Sequence, residues 1–383
     1  MPDQAVKATE NRLSNCTSPD RLRVRHPQTM LTELSVKNFR CFEAATLPIH
    51  EDTTVLIGRN AQGKTSLIEA ACVLLRLQSP RTSARGDFIR FGQKTCLIEG
   101  ALHQQKLRFA ANAATRRLAV DDGVCGNSAD YLKCSGLVVW MDHADMQLLR
   151  GGPENRRRFL DFAGSQIFPD YLKALRGYER ALRSRNYLLK KDARIHWPQA
   201  DAYAKVMQGY AETITAHRRI LTEWLLPEIH AMHSTLSGGE FASVEYLSGI
   251  PGGDLVGTLL GLRSDEERTR STAAGIHRDD LLLHINGRQA DSFASEGQQR
   301  TLALSLKIAQ ARVLENQSGA APLLLIDDIF GELDKTRRRA VLASLPPSSQ
   351  KVITTTHLDW AEAGDVRGHT YEVGPWGIRP HSP

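Results

Sequence analysis

The sequence contains no apolar run approaching the ~18 residues that a membrane-spanning helix needs. Aromatic residues make up only 6% of its 383 positions, and cysteine occurs six times. Cys16, Cys41, Cys72, Cys96, Cys125 and Cys134 form no C-x-x-C pair and stand near no histidines at zinc spacing. A cysteine-ligated zinc site is therefore not indicated, and the scattered thiols fit a reducing compartment. The first residues lack the apolar stretch of a secretion signal, so the expected location is the cytoplasm. Internal repeats and low-complexity tracts are absent as well.

What remains is an ordinary globular composition, 41% hydrophobic and 24% charged. The length suggests two or three domains with ample room for a core. A net charge of +6 is compatible with a polyanionic partner, and equally with ordinary solubility charge.

Residues 1–29 are polar and unpatterned and are expected to lie outside the fold as an extension. From Met30 strand-like runs alternate with turns. Thr54 to Ile57 is a short apolar strand, and Lys64 to Leu77 predicts a helix with Leu67, Ile68, Ala71, Leu74 and Leu75 on one face. Residues 94–140 predict short strands with turns, such as Asp121-Asp122-Gly123. From about 150 to 232 the chain turns helical and basic. Tyr171, Leu175, Tyr178 and Leu182 recur at helical spacing there, and Pro198 and Pro227 punctuate the region. Strand and helix alternate again from about 265. The expected architecture is α/β: one domain of residues 30–140 and 265–383, split by a mainly helical insertion of residues 141–264.

Gly58-Arg59-Asn60-Ala61-Gln62-Gly63-Lys64-Thr65 fits G-x-x-x-x-G-K-[ST] in full. Glycines let such a loop turn tightly and aim its backbone N–H groups at phosphate oxygens. The following helix adds its positive end. Lys64 can then reach the outer phosphates of ATP, and Thr65 offers a hydroxyl to Mg²⁺. An apolar strand before the loop and an amphipathic helix after it supply the context that separates a phosphate loop from a chance match.

Leu323 to Ile326 is an apolar run ending in Asp327 and Asp328. A buried strand that ends in carboxylates places them at the sheet edge where nucleotides bind. Asp327 is the candidate Mg²⁺ ligand, and Asp328 the candidate general base for the attacking water. A strand meeting solvent at an acidic turn would read the same way in isolation; the phosphate loop decides against it. About 260 residues separate the two motifs, too many for a minimal nucleotide-binding domain.

Ser295-Glu296-Gly297-Gln298 opens a predicted helix that leads into the acidic strand. That order resembles the signature segment of ABC and SMC ATPases, in which the Ser and Gly meet a nucleotide held by an opposite subunit. Leu236-Ser237-Gly238-Gly239-Glu240 is closer by letter, but no helix leads from it to the acidic strand, and it reads as a loop leaving the insertion. Glu332 and Asp334 follow the acidic strand where this class has its dimer-interface loop. His357 ends the next strand, where the class has a γ-phosphate sensor; otherwise it is an ordinary surface histidine. Gln78 is the one candidate for the Q-loop.

The combination resembles the RecF family of SMC/ABC-type ATPases. The likeness rests on Ser295 to Lys307, on Gly275-Ile276-His277-Arg278-Asp279-Asp280, on Gly151 to Asp161, on Ser184-Arg185-Asn186 and on Ser79-Pro80-Arg81-Thr82, and it runs from about residue 30 to the end. Departures are His143-Ala144 in place of a proline and an acid, Gly331 in place of Ser or Ala, Ile276 in place of proline, and Ala61 in place of glycine. Alanine at position 61 is expected to cost little, on the premise that the position does not need positive φ. The resemblance implies an ATP-sandwiched homodimer that closes on single-stranded or gapped DNA. It also implies work with RecO and RecR in recombinase loading, and a part in recovery of replication and the SOS response. Arg156, Arg157, Arg180, Arg183 and Arg185 become candidates for phosphate contacts. The competing reading is a solvated helix face, with Arg157 and Asp161 pairing at i,i+4. A transporter ATPase subunit and a nuclease-coupled ATPase are the alternatives.

Overall fold

The structure is a computed structural model and describes residues 29–358 and 369–381. The reading of residues 1–28 as an extension lies outside the described residues. Thr29, assigned to that extension from sequence, is instead buried, and its Oγ1 accepts a 2.8 Å hydrogen bond from the Leu137 amide.

The chain runs β1 (Leu31–Phe39), β2 (Phe42–Pro48), β3 (Thr53–Ile57) and α1 (Lys64–Arg76). It continues β4 (Cys96–Leu102), β5 (Gln105–Ala111), β6 (Arg116–Val120), β7 (Gly123–Val124), α2 (Ser128–Cys134), β8 (Val138–Met141) and α3 (Gln147–Arg150). Helices α4 (Pro153–Ile167), α5 (Tyr171–Lys191) and α6 (Trp197–Ser237) follow. Next come β9 (Ala242–Leu247), α7 (Leu255–Gly261), α8 (Arg263–Thr269), β10 (Asp280–Ile285), β11 (Arg288–Gln289), α9 (Ala290–Phe293) and α10 (Glu296–Ser318). The chain closes with β12 (Leu323–Asp327), α11 (Lys335–Ser344), β13 (Lys351–Thr355), β14 (His369–Gly374) and β15 (Gly377–Pro380). No helix among the described residues is long and apolar enough to cross a membrane.

Two compact units result. In the larger, a six-stranded sheet has the order β15-β14-β3-β13-β12-β8. β14, β3, β13, β12 and β8 are parallel neighbours, and β15 closes the edge antiparallel. Leu323 to Ile326 and Val138 to Met141 are buried throughout. Such near-continuous apolar runs are what strands covered on both faces require. A second sheet, β2-β1-β4-β5-β6-β7, is antiparallel. Helix α1 packs on β1 and β4 of this sheet and on β8, β12 and β13 of the first. It is therefore buried nearly all round rather than on one face, with Thr65 the one residue of its 13 left outside the buried set.

The smaller unit contains residues 153–223 and 245–281, so the expected insertion of residues 141–264 shifts at both ends and divides. Residues 141–152 and 224–244 belong to the larger unit, and residues 265–281 to the smaller one. Pro227 does not punctuate the region as expected. It lies inside the 41-residue helix α6, one turn past the point where the chain passes from one unit to the other.

The small unit is held by buried charge as well as by apolar packing. Arg218, 1% exposed, donates to Asp161, Asp279, the Ile276 carbonyl and the Tyr171 hydroxyl at 2.6 to 3.1 Å. Tyr246 adds a short hydrogen bond to Asp279. Asp161 is thus occupied by Arg218 and Tyr171, not by Arg157 one turn away. A buried carboxylate is stable only when paired and hydrogen-bonded in this way. The Gly275 to Asp280 segment is accordingly a structural clasp.

His277 lies in that clasp, with Nδ1 2.8 Å from the Tyr178 hydroxyl and Nε2 3.1 Å from the Thr272 carbonyl. Burial pushes it from its ordinary 6.5 down to about 4. Between those values the unfolded chain takes up a proton that the folded chain refuses. Stability from this site is therefore complete above pH 6.5 and is lost as pH falls toward 4. His277→Gln should remove about 3 kcal/mol of that acid loss. Urea unfolding of both proteins at pH 7 and pH 4 checks it; equal losses in the two would contradict the assignment.

Candidate nucleotide site

The residues between β3 and α1 form a phosphate cradle whose shape depends on its glycines. A Cβ on Gly58 would stand 2.3 Å from the Val373 carbonyl oxygen of β14. Gly63 has φ 97°, and a Cβ there would press on the Phe42 ring at 2.6 Å. Ala61 departs from expectation: its φ is 65°, in the left-handed region. The position does need positive φ, and a non-glycine residue is strained there by about 1–2 kcal/mol. Helix α1 has no side-chain cap and no acid in its first turn. Its N-terminal N–H groups and positive end suit an anion.

Lys64 Nζ donates to the carbonyls of Gly58, at 2.5 Å, and Arg59, at 3.0 Å. Burial pulls its pKa down, opposed by Asp328 and Asp327. Within α1 the fully buried Glu69 accepts from Arg40, Ser79 and Arg81, which ties the Ser79 to Arg81 segment to the cradle helix. Sequence reading passed over Glu69, because an acid on a helix normally signals a solvated face.

Across the sheet, β12 delivers Asp327 to the same edge. Thr65 Oγ1 donates to Asp327 Oδ1 at 3.0 Å, and Thr354 Oγ1 donates to the same oxygen at 2.6 Å. Burial raises the Asp327 pKa, the Thr354 and Thr65 hydrogen bonds lower it, and Asp142 and Asp328 raise it further. Asp328 has φ 54°, and its amide donates to the Thr354 carbonyl at 3.1 Å. Asp142 was missed from sequence. β8 pairs with β12 in parallel register, Met141 opposite Ile326, so the next residue of each strand is an aspartate. The signal was there, since Val138 to Met141 is a second apolar run ending in an acid. His143, one of the departures from the family pattern, bridges two motifs. Its Nε2 lies 3.0 Å from the Asp328 carbonyl, and its Nδ1 lies 3.5 Å from Glu332 Oε2.

The donor set fits a magnesium nucleotide. Thr65 and Asp327 present hard oxygen atoms, and Lys64 and the start of α1 present positive charge. His357 is exposed just beyond β13, the strand between β3 and β12, and Thr355 Oγ1 donates to its carbonyl at 2.9 Å. Gln78 stands just past the left-handed cap Leu77 of α1, next to Ser79, which donates to Glu69.

Ser295 is the N-cap of α10. Its Oγ accepts from the Gln298 amide at 3.3 Å, while Gln298 Oε1 accepts from the Ser295 amide at 2.9 Å. This reciprocal box satisfies two otherwise orphaned N–H groups. The remaining end of the Gln298 side chain donates to Glu240, so the residue serves the cap rather than presenting a free amide. Glu332 pairs with Arg300 at 2.9 Å, and Asp334 caps α11 through the Arg337 amide at 2.9 Å.

Two of the five arginine candidates must be withdrawn as DNA contacts. Arg185 is 0% exposed, with both terminal nitrogens 2.7 Å from the fully buried Glu266. Arg156 is buried in a two-pronged pair with Asp280. Arg157 is partly buried and donates to the Asp279 carbonyl. Arg180 and Arg183 are exposed on α5.

The AAA ATPase domain family matches residues 30–112. The DNA replication and repair protein RecF of Desulforudis audaxviator is 33% identical over 339 residues, covering 85% of this chain and 93% of that protein. RecF of Thermosynechococcus vestitus is 35% identical over 347 residues, covering 86% and 91%. The chain belongs to the RecF family. A solved structure of the recombination mediator protein RecF with ATP superposes with a TM-score of 0.83 at 26% identity, covering 93% of this chain and 99% of that one. The SMC head bound to the C-terminal winged-helix domain of ScpA superposes at 0.55 with 14% identity, a likeness of fold. The RecF-family chain thus has the fold of an ABC/SMC-type head.

Because Arg185 is enclosed with Glu266, Arg185→Ala should leave a buried carboxylate unpaired and cost about 3–5 kcal/mol. Chemical denaturation measures the loss. A variant of unchanged stability would mean that the side chain is not enclosed.

Proposed function

We propose that this chain is a cytoplasmic, ATP-gated DNA-binding protein of recombinational repair and replication-gap recovery. Two copies close on single-stranded or gapped DNA with ATP and Mg²⁺ between them. In this role it acts with RecO and RecR in recombinase loading and supports the SOS response. Family membership supports the repair role, and the cradle geometry supports ATP.

The observation that carries the sandwiched dimer concerns the start of α10. Ser295 and Glu296 are exposed, and Gly297 is not crowded by its own chain. A Cβ at Gly297 would find nothing nearer than Arg337 Nη1 at 3.6 Å. A glycine that internal packing does not require suits close approach by something external. The N-terminus of a 23-residue helix favours an anion there. The Ser295 hydroxyl accepts from Gln298 and still has its proton to donate. Exposed Arg180 and Arg183, with Arg157, are the remaining DNA candidates. Their contacts would be to phosphate, independent of sequence and sensitive to salt. Asp328 as the general base, with His357 beside the γ-phosphate, gives slow hydrolysis, because aspartate is one methylene shorter than the glutamate of fast ABC engines.

Lys64→Ala should abolish ATP-dependent retention of gapped DNA in a gel-shift assay, and retention at the wild-type level would overturn the mechanism. Ser295→Arg should leave ATP binding by the monomer intact and block dimers in sedimentation with Mg-ATP. Persistence of those dimers would remove Ser295 from the shared site.

A further inference from the structure

Glu240 belongs to the Leu236 to Glu240 segment, the signature-like string that does not lead into the acidic strand. Its place in the fold gives it a different task. Helix α6 ends at Ser237, and the chain reverses through Gly238 at φ 78° and Gly239 at φ 119°. No neighbour lies within 4 Å of a Cβ at either glycine, so the backbone conformation alone calls for them. The Gly239 amide donates to the Ser234 carbonyl at 2.9 Å, and the Glu240 amide to Ser237 Oγ at 3.0 Å. The turn is pinned at both ends, and the Glu240 carboxylate is pinned with it.

That carboxylate meets the start of α10. Gln298 Nε2 donates to Glu240 Oε1 at 2.5 Å. The other carboxylate oxygen lies 3.4 Å from Nε2 of His233, a fully buried residue of α6. His233 Nδ1 lies 3.5 Å from Ser305 Oγ, two turns further along α10. Burial lowers the His233 pKa, with Glu240 opposing the shift. Glu240 thus fastens Gln298, and Gln298 closes the capping box that orients Ser295.

We propose that Glu240 is a positioning residue for the shared nucleotide site, aligning Ser295 and the Gly297 amide through the side chain of Gln298. The proposal rests on the ATP-sandwiched dimer described above. A glutamine held only at its Oε1 end can swing, and its swing moves the Ser295 hydroxyl. Held at both ends it cannot, and the helix start meets the nucleotide pre-organised. Glu240 touches no nucleotide in this arrangement. Its loss therefore shows only where the second copy contributes.

The experiment compares wild type with Glu240→Ala, Glu240→Gln, Gln298→Ala and the double alanine variant. Nucleotide affinity of the monomer is read by titrating a fluorescent ATP analogue at low protein concentration. Dimerisation is read by sedimentation with Mg-ATP. Glu240→Ala should weaken the dimer about tenfold, the effect of losing one charge-assisted hydrogen bond, with monomer affinity unchanged. Glu240→Gln retains an acceptor oxygen and should recover most of the loss. The double variant should dimerise no worse than Gln298→Ala, because both act through one side chain. Wild-type dimerisation by Glu240→Ala would overturn the proposal. So would parallel loss of monomer nucleotide binding, or additive effects in the double variant. If Glu240→Ala does not fold, the glutamine and Gln298→Ala variants decide by the same two readouts. Wild type that stays monomeric with Mg-ATP defeats the dimer reading itself, a result distinct from any failure of Glu240.

Discussion

The hydrogen bond from Thr65 to Asp327 joins residues 262 apart in sequence across 3.0 Å of space. Much of the larger unit can be understood as the means of making that contact. β3 must end where the cradle begins, β12 must end where the carboxylates begin, and β13 must lie between them in register. The parallel ladder does this, with Val55 opposite Ile353 and Ile353 opposite Ile326. Thr354 then reaches Asp327 from the middle strand. Parallel strands need long crossovers, and here one crossover contains an entire second unit. Because α1 is enclosed between two sheets, the cradle stands on a helix with little freedom to shift.

Charge serves two purposes in this chain. In the smaller unit Arg185, Arg156 and Arg218 are paired with carboxylates inside the fold. A stretch that reads as basic therefore offers less free positive charge than its letters suggest. Two arginines that face solvent, Arg180 and Arg183, lie on the same helix as Arg185, separated from it by the 3.6-residue period alone. The signature segment shows the same economy of position. Ser295 faces outward, while Gln298 in the same turn faces its own chain through Glu240.

Nine non-glycine residues among the described ones have left-handed backbone, and two of them lie at the candidate site. Ala61 and Asp328 both have left-handed backbone, one in the cradle and one beside Asp327. His143 replaces the residue usual in the family and connects the Asp328 carbonyl to Glu332. Ala61 and His143 are thus departures beside the cradle and the acidic strand, whereas Ile276 is a departure within the smaller unit.

The phosphate cradle, the acidic strand and the order of motifs were legible in sequence because each is local. A tight turn needs glycine, a strand buried on both faces needs an unbroken apolar run, and a helix start needs its cap. What lay beyond sequence was every partnership between distant segments. Local periodicity could not say that Arg185 meets Glu266 81 residues away, or that Asp142 comes beside Asp327. Nor could it place Glu240 against Gln298, since a glycine turn reads alike whether it leads to solvent or to a neighbour. Backbone sign at Ala61 was equally hidden, because a small residue fits either hand and only the closed loop chooses. The sequence by itself determined which segments could bind phosphate and metal; the tertiary fold decided which charges stay free to meet anything else.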